Sequence, residues 1–69
     1  MTRRAIIAHK IDNEIAANVN DYLDDRIDRA TFDARQRAAW DRADLYGVKG
    51  AVLAIMRGDN AAFAVEVAA

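Results

Sequence analysis

Apolar residues recur three and four positions apart through the first third of the chain, at Ile7, Ile11, Ile15, Val19, Tyr22 and Leu23. That is the helical period, and it predicts an amphipathic helix over about residues 4–26. At about 1.5 Å per residue such a helix is roughly 34 Å long. Asn18 falls inside the apolar arc, between Ile11 and Tyr22. It is either an edge residue or a candidate polar member of a helix–helix seam, where a single amide can set the register. A second helical stretch, residues 29–46, places Phe32, Gln36, Ala39, Ala43 and Tyr46 near one face, with Trp40 at the margin. Asp28 suits its N-cap, because a carboxylate accepts from the free amides of a first turn. Ile27 and Phe32 stand at the spacing of a hydrophobic staple around that cap. Ala39 and Ala43 leave room for a neighbouring helix to approach closely, and Gly47 is a natural C-terminal stop.

Residues 48–57 hold Ala51, Val52, Leu53, Ala54, Ile55 and Met56. A short helix apolar on nearly every side is expected to be the most buried element. The tail from Asp59 onward reads two ways. Asp59 or Asn60 can cap a last helix over residues 60–68, with Phe63 and Val67 on one side. Phe63, Val65 and Val67 also alternate with Ala64 and Glu66 in the manner of a strand. Helix is the preferred reading, because alanine dominates the segment. The expected fold is therefore all-α, a single domain over residues 1–69, built as a small bundle of three or four helices.

Charge placement bears on how the helices pair. The first helix carries Arg3, Arg4 and Lys10 near its start and Asp21, Asp24 and Asp25 near its end, opposite to what its own dipole favours. The second carries Arg29, Arg35 and Arg37 early and Asp41 and Asp44 late. Laid antiparallel, the two match opposite charges at both ends, which predicts a helical hairpin at the centre of the fold. Exposed pairs contribute only about 0–1 kcal/mol each, so the pattern selects orientation more than it stabilises. Two copies of the first helix, packed antiparallel, satisfy the same pattern, so a homodimer is a second expectation.

Composition narrows the chemistry. A chain of 69 residues buries only about 60% of the surface its unfolded state exposes, so its core is small. With no cysteine and one histidine, His9, disulfides, thiolate metal sites and His-rich metal sites are excluded. No serine is present, and the two aliphatic hydroxyls, Thr2 and Thr31, have no nucleophile–base arrangement around them. No enzyme activity and no cofactor are expected. The acidic group Asp21, Asp24, Asp25 and Asp28 lacks the glycine and terminal glutamate of an EF-hand loop, so helix pairing and solvation account for it. Arg57-Gly58-Asp59 and Gly47-Val48-Lys49-Gly50 are read as turns.

A formal net charge of −1 gives no global attraction to nucleic acid. The arginines of the second helix are interleaved with Asp33 and Asp41 in a self-neutralising pattern. No run approaches the ~20 apolar residues of a membrane span, and the short apolar run after Arg4 is not that of a signal peptide. A cytoplasmic protein is expected.

The stretch over residues 22–35, with Leu23, Ile27, Asp28, Phe32 and Asp33, resembles the SHOCT-type helical hairpin. Arg26 stands where that family usually has Gly, and Asp28 where it has Thr or Ser. The resemblance implies oligomerisation or binding. In size and composition the chain also resembles accessory proteins of phages and mobile elements, anti-CRISPR proteins among them, which implies an inhibitor of a host system. The functional expectation is a non-enzymatic interaction protein that binds another protein, or its own copy, around the second helix. Trp40, Arg37, Arg42, Tyr46 and Arg35 are the candidate contact residues, because Trp, Tyr and Arg dominate binding hot spots. A small nucleic-acid-binding regulator that uses the arginines of this helix is the alternative.

Overall fold

A computed structural model describes residues 1–68 as four helices in chain order, α1 (Arg3–Leu23), α2 (Arg29–Leu45), α3 (Lys49–Met56) and α4 (Asn60–Val67). The chain is all-α over the described residues. The starts are fixed by side-chain caps. Thr2 Oγ1 accepts from the Ala5 amide at 3.1 Å, Asp28 from Thr31 at 2.8 Å and Asp59 from Ala62 at 3.0 Å. The Thr31 contacts hold the Asp28 carboxyl below the ordinary aspartate range. The α3 start is different: Val48 gives no side-chain cap.

The ends follow one device. In the turn after α1 the Asp25 amide donates to Tyr22 O at 3.1 Å and the Arg26 amide to Asp21 O at 2.8 Å. Those paired bonds form a Schellman turn, which needs a left-handed residue at its centre. The same pair of bonds closes α2 at Gly47 and α3 at Gly58. The central φ values are +58° at Asp25, +67° at Gly47 and +70° at Gly58. The first helix is therefore shorter than its predicted 4–26 span, because the left-handed residue at Asp25 stops it at Leu23. The tail forms α4 and not a strand: Asp59 caps it, and it buries Val67.

Helices α1 and α2 form the antiparallel hairpin that the charge pattern predicts. Cross-helix contacts run Tyr22 to Phe32, with ring centroids 4.8 Å apart, then Asp21 to Arg35, Asn18 to Gln36 and Glu14 to Arg42. One number rises as the other falls. Helix α3 packs against both α1 and α2, and α4 packs on α3. The core is dominated by alanine: Ala5, Ala8, Ala39, Ala43, Ala51 and Ala54 are buried beside Ile11, Ile15, Val48, Val52 and Val67. Small side chains bring the helices close but bury little area each.

Because α3 and α4 are short, they cover only the end of the hairpin that holds the start of α1. The apolar arc of α1 outruns this cover: Ile11 and Ile15 are buried, but Leu23 near the hairpin turn is 70% exposed. The radius of gyration of 12.6 Å exceeds the ~11 Å of a spherical chain of this length. The segment 48–57 has the largest buried share of the four helical segments, as its apolar run predicts, with Val48 fully buried at its start. Ala51, Val52 and Ala54 are buried, while Leu53 and Met56 face solvent, on the side of α3 that neither the hairpin nor α4 covers.

The basic start of α1, unfavourable for its own dipole, serves its neighbours. The Arg4 guanidinium donates to Gly47 O at 2.7 Å and to Glu66 O at 3.0 Å and 3.3 Å. Thr2 Oγ1 donates to Val67 O at 3.1 Å. These carbonyls lie at the C-terminal ends of α2 and α4, where a cation is favourable. The charge match expected between Arg4 and Asp41 or Asp44 is thus replaced by contacts to backbone, and Asp44 lies 3.9 Å from Lys49.

Candidate interaction groove

Helix α1 advances about 100° per residue, so Ile6 and Lys10 leave it on the side away from Ala5 and Ala8. Those two alanines are buried in the core, while Ile6 is 43% exposed. On the same flank of the hairpin α2 presents Arg42 and Tyr46. Together with Arg3, Ile7, Ile11 and Glu14 these side chains line a groove of about 490 Å³. Its floor is apolar, from Ile6, Ile7, Ile11 and the ring of Tyr46, which is 52% exposed.

The rim is charged and uneven. Arg42 forms an ion pair with Glu14 across the hairpin. Arg3 and Lys10 have no carboxylate within 4.0 Å among the described residues. The α1 side of the groove therefore presents two uncompensated cations, and the α2 side a compensated one.

The candidate contact residues do not form one cluster. Arg42 and Tyr46, four apart on α2, both face the groove. Arg35 lies farther along the hairpin, 3.5 Å from Asp21. Trp40 sits two positions from Arg42, on the other side of the helix, and packs half-buried against the core. Arg37 is exposed and lines no part of the groove. The five divide between two faces of one helix: at about 100° per residue Arg35, Arg42 and Tyr46 share one side, and Arg37 and Trp40 the other, so a single flat partner does not cover them all.

Asn18 occupies the seam. It is 5% exposed, its Nδ2 donates to Gln36 Oε1 at 2.8 Å, and Gln36 Nε2 donates to Ile15 O at 3.3 Å. Every buried side-chain N and O among the described residues has a partner. His9 packs on Phe63 of α4, with ring centroids 5.0 Å apart. The acidic residues near the hairpin turn are engaged locally: Asp21 and Asp24 with Arg26, and Asp28 as a cap. Arg57 and Asp59 pair at 3.6 Å across the turn at Gly58. No helix among the described residues is long and apolar enough to cross a membrane.

Sequence reasoning missed Arg3, Ile6, Lys10 and Glu14 as groove residues. The available signal was Ile6, a large apolar residue off the Ile7–Ile11–Ile15 face and set between two cations. No protein-family model, curated protein or solved structure matches this chain.

Proposed function

We propose that the protein is a non-enzymatic helical interaction module that binds a partner protein through the groove between α1 and α2. The observation that carries this reading is the groove itself, with Ile6 and Tyr46 exposed over an apolar floor and a polar rim. Apolar centres with charged rims are the anatomy of protein interfaces. In its finer form the proposal is inhibition of a host system by a phage or mobile-element accessory protein. A small stoichiometric binder acts by occupying a partner's surface, which asks for a groove and for no catalytic group. The SHOCT-like stretch near the hairpin turn agrees with a binding role.

The nucleic-acid alternative is weaker, because Arg29, Arg35 and Arg42 of α2 are engaged with Asp33, Asp21 and Glu14. The test is a tagged pull-down from host lysate after nuclease treatment, run with wild type and with Tyr46→Ser and Ile6→Ser. A stoichiometric protein retained by wild type and lost by both variants is expected. Capture that survives both substitutions removes the groove from the reading, and capture that vanishes with nuclease favours the alternative.

A further inference from the structure

The hairpin offers two clefts between the same pair of helices. One is filled by α3, whose Ala51 and Val52 are buried against it. The other is the groove on the opposite flank, framed at the same level of α1 and left open. A cleft between antiparallel helices suits a third helix, whose side chains three and four apart enter it as those of α3 enter the first.

Charge selects the kind of helix. Arg3 and Lys10 stand seven residues apart, about 10 Å along α1, and neither has a carboxylate within 4.0 Å among the described residues, the groove's one carboxylate, Glu14, being paired with Arg42. Arg42, facing them, is already neutralised by Glu14. A basic helix would meet two unshielded like charges, whereas an acidic one supplies the missing counter-charge. The apolar floor disfavours a phosphate backbone, which seeks donors along its whole length.

We infer that the groove binds an acidic amphipathic helix of a partner protein. Its apolar side chains rest on Ile6, Ile11 and Tyr46, and two carboxylates seven residues apart face Arg3 and Lys10. This inference rests on the groove being the interaction site.

The experiment selects binders from a display library of random helix-length peptides on the full chain, with counter-selection on Tyr46→Ser. Tyr46-dependent peptides are expected to carry Asp or Glu beside Leu, Phe or Trp at helical spacing. A synthetic copy of the best one is expected to bind about tenfold more weakly to the Arg3→Glu/Lys10→Glu variant, whose circular dichroism matches wild type. Its affinity falls as salt rises, since exposed charges are screened beyond about 8 Å at physiological ionic strength. Neutral or basic winners, or winners indifferent to the charge reversal, overturn the acidic-helix inference and leave the groove as a protein site. A random single-stranded oligonucleotide that binds more tightly than the best peptide, and does so through Tyr46, overturns it in favour of nucleic acid. If no Tyr46-dependent peptide emerges the inference also falls, and the Tyr46 dependence of the pull-down decides separately whether the groove reading stands.

Discussion

The Asn18–Gln36 pair in the α1–α2 seam gives a sharp test of how this hairpin is held. Asn18 is 5% exposed and its only side-chain partner is Gln36, at 2.8 Å. Gln36 is half-buried and can turn to water. The two positions are therefore unequal. Gln36→Leu strands a buried amide, which costs about 1–3 kcal/mol. Asn18→Leu, close to an isosteric change, leaves behind a Gln36 that water can satisfy, so its cost falls below 1 kcal/mol or so. The double variant replaces both polar partners by apolar ones and is expected to be neutral or more stable than wild type. A domain of this length holds a total of only about 3–10 kcal/mol, so the Gln36→Leu loss is a large fraction of it. The melting temperature should fall by roughly 4–8 °C per kcal/mol. Urea titrations followed by circular dichroism on all four proteins measure the cycle. The expected order is double variant at or above wild type, then Asn18→Leu, then Gln36→Leu. A double variant as unstable as Gln36→Leu refutes the reasoning, because the loss would then come from packing and not from the stranded amide.

Three further outcomes follow from the turns, caps and ties. Asp25→Gly should stabilise the fold by about 0.5–1 kcal/mol, because it relieves a left-handed aspartate and removes a negative charge from the end of α1; a denaturation midpoint no higher than wild type refutes that account. Arg4→Met removes the bonds to Gly47 O and Glu66 O and should cost about 1–2 kcal/mol. Hydrogen exchange should speed up first in α4, and uniform acceleration across the chain would contradict the local tie. Thr31 lowers the Asp28 pKa in the folded state. That contribution is fully present above the unfolded value of about 3.9 and is lost as pH falls through the lower folded value. The stability difference between wild type and Asp28→Asn, whose cap does not titrate, should close over that acid range and stay constant above it. A difference that does not change with pH rejects the link.

Much of the fold is local and was legible along the chain. The 3.6-residue period of α1, the Asp28 cap, the Gly47 and Gly58 stops and the opposed charge gradients specify two helices and an antiparallel turn without knowledge of anything distant. Asn18 was recognisable as a polar seam candidate because it broke an otherwise apolar arc. Its partner was present in the sequence as Gln36 on the apolar face of α2, but register alone brings the two within 2.8 Å. The end of α1 was misplaced because a left-handed conformation at Asp25 is carried by two backbone bonds, which no side-chain pattern announces. What only the tertiary structure decided is where the short helices lie. Helices α3 and α4 cover one face of one end of the hairpin, so Leu23 is left exposed and Trp40 is drawn against the core. The opposite cleft stays open, which assigns Ile6, Arg3 and Lys10 to a groove with Arg42 and Tyr46. Sequence fixes which stripe of a helix is apolar, but a stripe long enough to bury meets solvent wherever no neighbour reaches it, and the reach of a neighbour is a property of the whole fold.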